Sequence, residues 1–311
     1  MRMQAFKWAT ALIVGLIALA GPVDALAQRK FDSAEDAVKA LVDAVRSENS
    51  KGMLDVVGAK AHSWLTTPDE IADRTEWRLF VAAYDKKNSI VAHGEDKVSL
   101  AVGDDAWEFP APIVRKAGKW SFDADAGREE ILNRRVGRNE LDTIQTLLAI
   151  VDAQREYAAS DADGNGLRDY AARFSSSPGK KDGLYWEAGP GQPQSPLGEL
   201  VGKAAREGYG EKVKEGKVQP YQGYIFRMLT AQGPQAPGGA YDYRVNGKLF
   251  GGFAVIAYPA AYGNTGVKTF IVNHEGVVYE KDLGPATAGE AAKIARYNPD
   301  KTWAKAEPVA R

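Results

Sequence analysis

The densest run of hard oxygen ligands in the chain is Asp161-Ala162-Asp163-Gly164-Asn165-Gly166-Leu167-Arg168-Asp169. Side-chain oxygens fall at loop positions ~1, 3, 5 and 9, with glycine at ~6, as at the start of a calcium loop. Calcium takes such oxygens, and the glycine permits the sharp turn. Asp161, Asp163, Asn165 and Asp169 are therefore the candidate metal ligands, and calcium is the candidate cofactor. Ala172 stands where a bidentate Glu would complete the shell, so Asp182 or water has to do so. A site of this kind is weak, about 10⁻⁴–10⁻³ M, as in extracellular modules. The competing reading is a Gly-rich helix terminus with solvated acids.

Aromatic rings supply a second chemistry. Twelve of the 13 Tyr lie at or after position 157, many around a Gly/Pro-rich tract. Tyr185 and Trp186 are the candidate ligand or partner contacts, since flat amphipathic rings suit sugar faces, peptides and protein partners. The competing reading is that these rings pin a long loop onto a sheet. Nucleophilic chemistry has little support. There is no cysteine, no G-x-S-x-G elbow and no H-E-x-x-H, and His62, His93 and His274 sit in polar, turn-like contexts. Carboxylates such as Glu129-Glu130 and Asp104-Asp105 read as solvated. Arg134, Arg135 and Arg138 read as surface partners of acids at helical spacing, Glu130 with Arg134 being i, i+4. No catalytic residue is assigned.

The elements that must position these residues can be read from patterning. Ser33 is an N-cap before Val38, Leu41, Val42 and Val45, one helical face. Met53 to Val57 make a second helix, and Pro68 to Tyr84 a third that opens on Pro and acids. The period then changes: Lys97–Val102 alternates, Trp107–Phe109 and Ile113–Val114 read as strand, and a turn at Gly118 leads to Trp120–Phe122. A long helix spans residues 128–159, broken near Gly137. Leu167, Tyr170, Ala171 and Phe174 predict another helix after the acidic loop. The tract 175–223 is a long loop interrupted by a helix over 197–207. Strands over 224–229, 243–245, 253–258, 267–272 and 277–279 are separated by turn pairs such as Asn246-Gly247, a hairpin meander. The fold class is α+β: N-terminal helices with a curved antiparallel sheet, a long linking helix, and a C-terminal antiparallel meander packed on a helix. The first part resembles the cone-shaped domain of the nuclear-transport-factor-two-like superfold.

The N-terminus reads as an address. Arg2 and Lys7 precede an apolar run from Ala9 to Gly21, too short for a membrane span, and Ala25-Leu26-Ala27 offers a cleavage site. The predicted divisions are a signal peptide over 1–27, an α+β domain over 28–136, and the long helix plus meander domain over 137–311. The mature protein is expected to be periplasmic or secreted, with no stable membrane span. Without cysteine it holds together by packing alone. A formal net charge of −1 excludes a nucleic-acid partner, which would need a basic surface.

Three groups of segments carry a resemblance: Asp152-Ala153-Gln154-Arg155-Glu156-Tyr157-Ala158 with the acidic loop, Asp182-Gly183-Leu184-Tyr185-Trp186, and Phe253-Ala254-Val255-Ile256-Ala257-Tyr258-Pro259 with Thr269-Phe270-Ile271-Val272-Asn273. The chain resembles exported bacterial proteins grouped as domain of unknown function 2950, over nearly the whole mature sequence. The resemblance implies export and a characteristic architecture, and brings no catalytic residue. The C-terminal half also resembles the globular head of type IV pilins and pseudopilins, although more than 100 residues separate its helix from the apolar N-terminus. The expected function is an exported, non-enzymatic envelope module, stabilised by calcium, with an envelope protein or cell-wall glycan as partner. The alternatives are a glycan hydrolase using carboxylates near the aromatic loop and a small-ligand carrier using the N-terminal cone.

Overall fold

A computed structural model describes residues 28–307 except 190, 208 and 210–218. The predicted signal peptide lies outside the described residues. Four helices come first: α1 (Ala34–Arg46), α2 (Ser50–Val57), α3 (His62–Leu65) and α4 (Glu70–Lys86). Ser33 caps α1 by accepting from Asp36 N, as its position suggested, and Asp69 caps α4 by accepting from Ala72 N. Five strands follow: β1 (Asn88–Ala92), β2 (Lys97–Val102), β3 (Trp107–Glu108), β4 (Ile113–Lys116) and β5 (Lys119–Phe122). They form an antiparallel sheet in the order β1-β2-β4-β5, with β3 on β2. The apolar face of α1 packs with Met53, Trp64, Leu100, Ile113 and Phe122 into a first core.

Helix α5 (Arg128–Ser160) runs unbroken through Gly137, whose Cα faces open space. The expected break is absent because α5 is held along its whole length by tertiary contacts. Ile131 and Leu132 pack on the first core, while Ile144, Leu147, Ile150 and Val151 belong to a second. Packing of this kind outweighs the cost of one glycine, about 1 kcal/mol.

Beyond α5 lie α6 (Gly198–Glu207), β6 (Tyr224–Leu229), β7 (Ala231–Gln232), β8 (Tyr241–Asp242), β9 (Arg244–Val245), β10 (Lys248–Leu249), β11 (Ala254–Pro259), β12 (Lys268–Asn273), β13 (Tyr279–Asp282), α7 (Thr287–Lys293) and β14 (Ala304–Lys305). The main sheet is antiparallel in the order β14-β13-β12-β11-β6. Its central strands are buried on both faces, so they read as apolar runs rather than alternating ones. The architecture is α+β throughout.

The helix expected over Leu167–Phe174 does not form. Tyr170 instead bridges to Leu249, its N–H donating to Leu249 O (2.8 Å), and Gln154 on α5 holds Ala171 at both N–H and C=O. These long-range bonds satisfy the backbone groups a helix would have used.

The two halves meet across buried polar bonds. Asp69 is 2% exposed, and its Oδ2 accepts from Gly223 N (2.9 Å) and Tyr209 Oη (2.8 Å). Asn264 donates to Ser63 O at the exposed edge of the same joint, while Asn139 and Glu140 on α5 hold the backbone at Thr265, Val267 and Lys268 to that helix. Gly223 has φ +76°, and a Cβ there would lie 2.6 Å from Asn139 Nδ2, so the joint depends on that glycine.

Candidate binding cavity

At one edge of the N-terminal core the packing is open to solvent. A cavity of about 410 Å³ opens between α4, the sheet and the first turns of α5, within the size range of about 300–1,000 Å³ for small-molecule sites. Its walls include Trp64, Trp77, Phe80, Trp107 and Phe109. Phe109 is the hub, with ring centroids 6.5 Å from Trp64, 5.8 Å from Phe80, 6.3 Å from Trp107 and 6.0 Å from Phe122. These tilted and edge-on arrangements hold the rings without closing the space between them. A depression of about 610 Å³ beside α1 and α2 is larger, but it is lined by opposed charges such as Lys30, Asp36, Lys39 and Asp43 and has no aromatic enclosure beyond Phe31.

Helix α5 gives the cavity a charged wall. Ile131, Arg134, Arg135 and Arg138 line it at i, i+3, i+4 and i+7, one helical face. Arg134 pairs with Glu130 (2.6 Å), as its spacing suggested, and lies 5.8 Å from the Trp107 ring. Arg138 reaches Glu76 on α4 (2.6 Å). The reading of Arg135 as a surface group is overturned: it is 6% exposed, and it donates to Trp64 O (2.5 Å) and Asn264 Oδ1 (2.7 Å). Arg135 thus ties the cavity wall to the C-terminal half. Sequence reasoning missed it because an Arg beside Arg134 and Arg138 in a charged helix reads as one more solvent-facing partner of acids. The available signal was the i, i+3, i+4, i+7 relation to Ile131.

Beside this wall Asp73 is buried at the start of α4. Burial pushes its carboxyl up to about 6; bonds from Thr67 N and Thr67 Oγ1 and the charge of Arg135 restrain the rise, and Glu76 adds to it. Burial and the neighbouring Asp69 carboxylate likewise push the Tyr209 phenol up, so it serves as a donor.

The acidic loop is arranged by its own bonds. Asp161 ends α5 in the left-handed region and accepts from Asn165 N and Gly166 N. Asn165 donates to Asp169 Oδ1 and accepts from Leu167 N. Lys248 on β10 brings its ammonium to 2.8 Å from Asp163 and 3.6 Å from Asp169. Burial pushes the Asp163 carboxyl up, but bonds from Lys248 and Asn165 outweigh this and hold it below the usual range. Asp182 lies apart, with both oxygens on Ser177. Among the described residues no group of three or more His, Asp or Glu side chains is placed to hold a metal ion.

Tyr185 and Trp186 are half-buried against the second core, and Lys181 sits over the Trp186 ring at 5.3 Å. Tyr185 joins Ser175 in a parallel bridge that draws the Gly/Pro-rich loop inward. Of the histidines, His62 and His93 are exposed. His274 departs from its expected solvated setting and packs edge-on to Tyr243 (5.6 Å), above Gly252. No described helix is long and apolar enough to cross a membrane.

No curated protein and no solved structure matches the chain. A family model described as Protein of unknown function (DUF2950) matches residues 28–306, and the chain belongs to that family.

Proposed function

We propose that the protein is an exported, non-catalytic binding protein of the cell envelope whose N-terminal cone takes up a small, largely apolar molecule. One observation carries this reading: the first core keeps an open, aromatic-walled cavity of about 410 Å³ where a purely structural core would be packed. An open aromatic wall of this kind keeps apolar surface in contact with water. A ligand that covers it removes that surface from water. Export is supported by the charged, apolar and small-residue succession of residues 1–27 and by a family match that starts at residue 28.

The test is titration of the chain from Gln28 onward with N-phenyl-1-naphthylamine, a neutral apolar probe whose emission rises in a dry site. A saturable rise is expected, with quenching of the wall tryptophans. Ala83 also lines the cavity, so Ala83→Trp should abolish the rise while leaving the melting temperature unchanged or higher. A wild-type protein that gives no saturable rise, or an Ala83→Trp variant that binds equally well, overturns the reading.

A further inference from the structure

We infer that the ligand of the cone is an amphiphile with a single anionic head, its apolar body among the aromatic rings and its head on the arginine face of α5. This rests on the reading of the cone as a binding chamber and adds the chemical class of what fills it.

The argument is one of charge. The cavity wall carries Arg134, Arg135 and Arg138 against only Glu76 and Asp105, leaving one positive charge in excess. Glu76 is committed to Arg138, and Asp105 is exposed. Glu130, the partner of Arg134, is not among the lining residues. Arg135 is the exceptional group. It is 6% exposed, its two hydrogen-bond acceptors are uncharged oxygens, and among the described residues no carboxylate lies within ion-pair distance of it. A guanidinium stays protonated even when buried; Asp73 feels the charge of Arg135, but its carboxyl is bonded to Thr67 and does not line the cavity, so on the cavity side the guanidinium faces no carboxylate of its own. A planar carboxylate matches a guanidinium fork and gives the arginine face a counter-charge on the cavity side. The adjoining walls are apolar, so a doubly charged or wholly polar ligand would leave most of the chamber unsatisfied.

The test displaces the neutral naphthylamine probe with dodecanoate, dodecanol and dodecyltrimethylammonium at neutral pH, all below their aggregation concentrations. Dodecanoate is expected to compete at a concentration about 10-fold lower than dodecanol, and the cation more weakly than either. Arg134→Gln should narrow that difference. Glu76→Gln, which removes a carboxylate from the wall and frees Arg138, should strengthen dodecanoate binding several-fold and leave dodecanol unchanged, a gain that unfolding cannot mimic. Equal competition by dodecanoate and dodecanol, or preference for the cation, overturns the anionic head while the chamber stands. If the probe itself does not bind, both readings fall.

Discussion

In the second core Tyr224, Tyr243, Phe253, Phe270 and Tyr297 are wholly enclosed, whereas in the first Trp77, Phe80 and Phe109 each keep part of their surface on an open cavity. Both cores rest on the same helix and both back onto an antiparallel sheet. The difference lies in what the aromatic residues face. Strands β11 and β12 are sealed by sheet neighbours on both sides and by α5 and α7, so their rings meet other side chains. In the first unit the cavity opens between α4, the sheet and α5, and Leu79 and Trp107 remain exposed beside the opening. Aromatic residues are thus enclosed in one unit and line an open cavity in the other.

Truncation should separate these roles most clearly. Phe253→Ala removes a fully buried ring and is expected to cost about 3–5 kcal/mol in denaturant unfolding. Phe80→Ala removes a ring already half open to the cavity and is expected to cost about 1–2 kcal/mol, while weakening probe binding strongly. Equal losses at the two positions would break the comparison.

Titration provides a second contrast, because the buried acids of the two units have opposite signs. Asp73 in the first unit is pushed up to about 6 by burial, so the folded state holds its proton longer than the unfolded chain does. Its effect is to lower stability as pH rises from about 4 to about 6, by an amount on the order of 2 kcal/mol. Asp163 in the second unit is held below the usual range, so it contributes stability above the ordinary carboxylate pKa and loses it as pH falls further. Denaturant unfolding of Asp73→Asn across this window should show a flatter pH dependence than wild type, since the amide can still accept from Thr67 N and donate to Thr67 Oγ1. An unchanged slope would mean that Asp73 is ionised and satisfied in the fold.

Much of this architecture is legible in the sequence, for reasons that can be named. The strands over Lys97–Val102 and Tyr224–Leu229 carry unambiguous patterns, and the Ser33 cap marks α1 to the residue. Local signals fail where long-range bonds decide. Leu167–Phe174 has helical spacing, but Gln154 and Leu249 claim its backbone. β1 is an exposed edge strand whose residues show no burial pattern, and it exists only because it pairs with β2. The resemblance to a cone-shaped domain offers a small-ligand carrier as an alternative, but the residues that line the cavity are the least legible feature. Its wall residues are scattered from Leu41 to Arg138, and the apolar positions that line it have the same periodicity as those that fill a core. Individual ligand residues could be named in sequence only for the acidic loop, because a ligand set contiguous in sequence is visible without a fold.

That loop yields the smallest predicted effect. In sequence its oxygens fit calcium; in the fold Asp161 caps backbone N–H groups, Asn165 links Asp169, and the ammonium of Lys248 provides the positive charge beside Asp163 and Asp169. Calcium would have to displace an attached cation whose local concentration is high and whose bonds are already formed. Millimolar calcium should therefore leave the wild-type melting temperature unchanged. Lys248→Gln should cost about 1 kcal/mol or less, as expected for a partly exposed pair. It should also make melting calcium-dependent, since Asp163 and Asp169 then face each other without a counter-ion. A rise in wild-type melting of several degrees with calcium would show that the ion outcompetes the lysine, and that the second unit is completed by something it binds.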